Sequence, residues 1–188
     1  MKKIELKSLY QYDQELGAYY IDIQLENYRD AYSDWDYSAL NNRDLNDDLM
    51  KYLLECIYEL TSKNKIIIVF HILYQIRDNT RENRTREGIS NYFNYKIRQI
   101  RNQRFRLIRD TFYFLLIGTL FLFVGTIMSH FSNETIVTNL ISEGFFIGGW
   151  VMIWEMFTTW FFNIKELSNV IKNYVRLKDV PIMFKYSD

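Results

Sequence analysis

The sequence predicts an α+β membrane protein: a small cytosolic ββαβ domain, then a long helix that continues into a two-helix transmembrane hairpin. Three observations carry that prediction. Residues 112–128 and 144–162 are apolar segments, the second holding a single charge, Glu155, and an α-helix crosses a bilayer in about 20 mostly apolar residues. The N-terminal part switches between strand and helix periodicity. Charge is partitioned although the total is zero: residues 1–60 carry −7, 61–110 carry +8, 111–163 carry −3 with no Lys or Arg, and 164–188 carry +2.

Each element has its own signal. Ile4 and Leu6 give residues 3–10 a weak alternation, read as a short strand. Residues 18–26 alternate cleanly, with Tyr19, Ile21, Ile23 and Leu25 on one side and Tyr20, Asp22, Gln24 and Glu26 on the other, as in a half-buried strand. The stretch Gln11 to Gly17 suits an antiparallel hairpin between them. An aromatic, acidic loop follows over 29–42. Asn42 or Asp44 is the expected cap of a helix whose stripe is Leu45, Leu49, Leu53, Cys56 and Leu60. Cys56, the single cysteine, falls on that apolar face and reads as a small hydrophobe. Ile66–Ile72 is a continuous run, the mark of a central strand covered on both faces and parallel to its predecessor through a right-handed crossover.

From about Thr80 the pattern is helical into the first apolar segment, with Phe93, Ile97, Ile100, Arg104 and Leu107 in one stripe. Ile164, Leu167, Ile171 and Tyr174 form a matching stripe after the second segment. The expected boundaries are 1–78 for the ββαβ module, 79–110 for a basic juxtamembrane helix and 111–130 for the first span. An external loop at 131–140, a second span at 141–163 and a C-terminal helix and tail at 164–188 complete the chain.

Basic residues orient the hairpin. Lys96, Arg98, Arg101, Arg104, Arg106 and Arg109 precede the first span and Lys165 follows the second, while the loop between the spans has no Lys or Arg. The positive-inside rule places both termini in the cytoplasm, with these bases as topology determinants or contacts for anionic lipid headgroups. No signal peptide is visible at the N-terminus. If Thr111 lies level with Phe162 or Asn163, Gly125 sits opposite Gly149 and Thr119 opposite Glu155. Gly118, Gly125, Gly144, Gly148 and Gly149 are then the candidate packing residues, with Gly144 and Gly148 in a small-xxx-small pattern. Glu155, about 15 Å along the helix from Lys165, is the candidate intramembrane polar site, protonated, bonded to Thr119 or Thr158, or facing water or another chain, unless a tilted helix lets its carboxylate snorkel to the interface.

Catalysis finds little support. His71 and His130 have no nucleophile at recognisable spacing, and no phosphate loop, HExxH or CxxC is present. Asp34, Asp36, Asp44, Asp47 and Asp48 fit no EF-hand loop. They read as a solvated capping region, so no metal and no cofactor is expected. The basic stretch from Arg77 to Arg109 reads as membrane-proximal rather than as a nucleic-acid site. Asn133-Glu-Thr135 matches the glycosylation sequon, a short and weak pattern.

Some residues carry a resemblance. Tyr95-Lys-Ile-Arg98 with its basic continuation, Ser142-Glu-Gly144, Ile147, Gly149-Trp150-Val151, Trp154 and Asn42-Arg-Asp-Leu45 make most of residues 40–165 resemble, loosely, a family of small bacterial two-pass membrane proteins without assigned function. Members have a basic residue and a proline soon after the second tryptophan. This chain has Glu155 and Met156 there, so Glu155 is not a family feature. The resemblance implies a bacterial plasma membrane location and supplies no activity. The expectation is a non-enzymatic regulatory or scaffolding subunit, homo-oligomeric or bound to a membrane partner. The alternative is a pore-type effector triggered through its cytosolic module.

Overall fold

The computed structural model describes residues 6, 8–39, 41–131 and 136–187. They form two compact units, Met1–Arg98 with Lys172–Asp188, and Gln99–Ile171. The fold is α+β, with one four-stranded sheet and long helices.

The sheet unit begins differently from the sequence expectation. Leu6, Ser8 and Leu9 are helical, and the Tyr10 amide donates to the Leu6 carbonyl at 3.0 Å. The expected strand over 3–10 therefore does not form there; its residues 3–5 and 7 lie outside the described ones. Two alternating apolar positions were too few to specify a strand. The hairpin is real but shorter. β1 (Tyr12–Asp13) runs antiparallel to β2 (Ala18–Gln24), with Tyr12 opposite Tyr19. The Asp13 carboxylate accepts the Glu15 and Leu16 amides at 2.8 and 3.0 Å, an Asx-type turn. Gly17 closes it at φ +62°, where a side chain is strained.

Between β2 and the next helix the chain is ordered by local polar contacts. Asn27 and Asp30 make a reciprocal capping box around a short 3-10 turn, Tyr28–Ala31. Leu45 bridges to Tyr32, the Ser33 amide donates to the Asp44 carbonyl at 2.9 Å, and the Asp44 amide donates to Asp36 Oδ2 at 2.8 Å. These contacts hold residues 44–45 extended. The helix α1 (Asp47–Glu59) is therefore capped by Asn46, whose side chain accepts the Asp48 and Leu49 amides at 2.8 and 3.2 Å, and not by Asn42 or Asp44. Its buried face includes the predicted Leu53 and Cys56 and adds Met50 and Ile57.

β3 (Lys65–Leu73) lies parallel to β2, with Ile21 opposite Ile68. β4 (Ile182–Ser187) lies parallel to β3 on its other side, with Phe70 opposite Phe184. The sheet order is β1-β2-β3-β4. The expected C-terminal helix ends at Lys178, and what was expected as a tail holds a strand at 182–187. Pro181 cannot continue a helix, and its carbonyl accepts the Ile68 amide at 3.0 Å, which starts the ladder.

One sheet face carries the main core. Tyr19, Ile21, Ile66, Ile68, Phe70 and Ile72 pack there with Leu53, Ile57, Phe93 and Leu177. The other face holds a smaller buried cluster of Ala18, Tyr20, Ile67 and Val69, so β3 is buried on both sides as its sequence implies.

Helix α2 (Asn79–Phe131) is 53 residues long and unbroken. Asp78 caps it by accepting the Thr80 and Arg81 amides at 2.8 and 3.2 Å. Helix α3 (Ile136–Thr158) is followed by a π-helical turn, Thr159–Asn163, and by α4 (Ile164–Lys178). The expected external loop is thus largely helix, since Ile136–Leu140 belong to α3. In the sheet unit the predicted stripes meet where the Phe93 and Tyr174 rings lie 6.2 Å apart.

Candidate functional site

The apolar hairpin of the second unit is built on small residues. A Cβ on Gly118 would lie 3.0 Å from the Gly149 carbonyl oxygen, and one on Gly149 would lie 2.8 Å from the Leu122 side chain. A Cβ on Gly125 would lie 3.3 Å from the Ser142 carbonyl oxygen, and the Ser142 hydroxyl donates to the Gly125 carbonyl at 3.0 Å. On each helix the two small residues stand one heptad apart, which keeps them on one seam. Gly149 therefore meets Gly118 and not Gly125. The level assumed from the sequence was displaced because α2 runs as far as Phe131 and α3 begins at Ile136. A Cβ on Gly148 would meet the Phe121 ring at 3.0 Å, whereas one on Gly144 would meet nothing within 4 Å, so Gly144 lies off the seam. Ser142 is the seam residue that the glycine pattern missed.

The polar candidates do not converge. Glu155 and Thr119 are both exposed on the hairpin surface; with Gly149 at Gly118, the expected pairing of Thr119 with Glu155 does not form. The Thr158 hydroxyl donates to the Trp154 carbonyl at 3.0 Å, the common way a helix satisfies a threonine. Of the bases, Arg98, Arg101, Arg106, Arg109 and Lys165 are exposed. Lys96 lies over the Tyr92 ring at 5.2 Å, and Arg109 pairs with Asp110 at 3.1 Å. Arg104 is half-buried, and its Nε has no hydrogen-bond partner.

An apolar groove of about 310 Å³ opens in the hairpin unit between Ile108, Phe112 and Leu115 of α2 and Met156, Trp160 and Phe161 beyond the seam. Its second wall includes the π turn, where the Ile164 amide donates to the Thr159 carbonyl.

The sheet unit has its own surface features. Trp35 and Tyr37 are 97% and 98% exposed. A cleft of about 400 Å³ is lined by Asp36, Arg43, Asp44, Asn91, Tyr92 and Tyr95. Asp36 is held at about 2, below the usual carboxylate value, by the Ser38 hydroxyl and by the Asp44 and Ser38 amides. Asp36 accepts backbone amides within its turn, Asp47 and Asp48 lie in the first turn of α1, and among the described residues no three His, Cys, Asp or Glu side chains gather as a ligand set. His71 Nε2 lies 2.7 Å from Asp22 Oδ1, both about a third exposed. Cys56 is buried, and burial pushes its thiol up, away from the thiolate a nucleophile needs. Asn133–Thr135 lie outside the described residues.

Two helices, Asn79–Phe131 and the continuous run Ile136–Lys178, are long and apolar enough to cross a membrane by length and composition. Compared with known proteins, the chain matches no family model, no curated protein and no solved structure.

Proposed function

We propose that the chain is an integral membrane protein whose two apolar helices cross a bacterial plasma membrane as a hairpin, both termini in the cytoplasm. In this reading it is a non-enzymatic regulatory or scaffolding subunit that couples the sheet unit to the bilayer. One observation carries the membrane reading. Only 17% and 11% of the most apolar windows of the two helices are buried, whereas the core helix of a soluble protein is mostly buried. Leu120, Phe123, Leu140, Trp150, Trp154 and Phe162 are among the large apolar side chains left outside, an arrangement water opposes at about 25 cal/mol per Å². The segregation of Lys and Arg supports the orientation. Coupling rests on α2, which packs Ile89, Tyr92 and Phe93 in the sheet core and continues without a break as the first apolar helix. The resemblance to small two-pass proteins agrees with this reading. Membranes washed with alkaline carbonate should retain the protein until detergent is added; release by carbonate alone would overturn the proposal.

A second reading, assembly into a membrane-disrupting pore, draws on Glu155. The carboxylate is exposed on a segment without Lys or Arg, so a second copy would shield it from lipid. Depolarisation on overexpression that Glu155→Gln relieves at unchanged abundance supports this reading. Harmless accumulation supports the first.

A further inference from the structure

We infer that the groove at the α2 end of the hairpin holds one acyl chain of an anionic phospholipid, with its headgroup phosphate on Arg104 and Lys165. The inference rests on the membrane reading above and adds a specific site to it. The walls are apolar: Ile108, Phe112, Leu115, Met156, Trp160 and Phe161. The one lining hydroxyl, Thr111, is already spent on the Leu107 carbonyl at 2.7 Å. Such walls offer a polar ligand nothing and suit an aliphatic chain.

Charge at the mouth selects the headgroup. Arg104 stands one turn before Ile108 on the same face of α2. Lys165 is exposed two residues beyond the π turn that forms the second wall. The buried Nε of Arg104 has no partner. That buried N–H is out of a ligand's reach, but Arg104 as a whole is only half-buried, and phosphate matches the guanidinium fork.

The test is native mass spectrometry of the full-length protein, stripped of bulk detergent in equal amounts of phosphatidylglycerol and phosphatidylcholine. The wild type should retain one phosphatidylglycerol in roughly tenfold preference, the equivalent of about 1.4 kcal/mol. Arg104→Gln with Lys165→Gln should abolish the preference. Arg104→Lys with Lys165→Arg should keep most of it, and Arg98→Gln with Arg106→Gln, the same charge loss off the groove face, should leave it intact. Ile108→Phe with Met156→Phe, which fills the groove, should lower retention of both lipids. Equal retention of the two lipids by the wild type, or equal loss in both charge-removal pairs, overturns the inference. A protein that fails to float with vesicles refutes the membrane reading instead; one that inserts without preference refutes only this site.

Discussion

At the scale of single residues, the seam is decided by how little room two glycines leave. A Cβ on Gly149 would press on Leu122 at 2.8 Å, and one on Gly118 would press on backbone at 3.0 Å. Gly149→Leu and Gly118→Leu should each lower the stability of the detergent-solubilised protein by about 1–3 kcal/mol, the usual cost of overpacking. Gly144→Leu should be nearly silent, because a Cβ there would meet nothing within 4 Å. Thermal unfolding in detergent checks the set, and an equal loss in all three variants would argue against the seam. Asp36 supports a pH prediction. Its folded value, about 2, lies below the ordinary 3.8. Its contribution is therefore complete above about pH 4 and disappears as pH falls through about 2. Amide exchange at Ser38 and Asp44, the two donors to its carboxylate, should accelerate over that window and not in Asp36→Asn. An unchanged acid profile in the wild type would contradict the assignment.

At the scale of elements, the end of α1 and the return of the chain through α4 depend on one another. Arg176 donates to the carbonyls of Ile57 at 3.3 Å, Leu60 at 2.5 Å, Thr61 at 2.8 Å and Asn64 at 2.9 Å. The helix has no basic residue in its own last turn, so a guanidinium from a distant helix satisfies its terminal carbonyls. α4 then delivers Leu177 to the core and Pro181 to the ladder beside Ile68. Arg176→Met keeps the aliphatic stem and removes the donors. It should destabilise the sheet unit by at least about 1.5 kcal/mol, the lower figure for a bond from a charged group. Hydrogen exchange should report the loss first at residues 57–64. Protection there equal to wild type would show that water replaces the guanidinium without loss.

At the scale of the whole molecule, topology is the property most open to test. A cysteine at Ser132 should react with a membrane-impermeant thiol reagent in intact cells, and one at Ser90 should react only after permeabilisation. Cys56 is buried, which keeps the background low. The reverse pattern would move the sheet unit to the outside and overturn the orientation drawn from Lys and Arg.

What the sequence determined by itself was local patterning and partition. The alternation in 18–26, the continuous run at 66–72, the stripe through Leu53 and Cys56, and two apolar segments without Lys or Arg all answer to side-chain periodicity or preference for water. Both are properties of short windows. The tertiary structure decided what depends on residues far apart. Ile182–Ser187 becomes a strand because β3 offers an open edge beside it, with Phe184 5.6 Å from the Phe70 ring, and its own pattern is too weak to announce that. Asn46 becomes the cap because Tyr32 and Asp36 hold residues 44–45 extended. Gly118 becomes the partner of Gly149 because α2 runs to Phe131 and α3 starts at Ile136, and two helices can slide by a heptad without changing either apolar pattern. Register, capping and the groove between Ile108 and Trp160 are set by contacts between segments, which no single window of sequence contains.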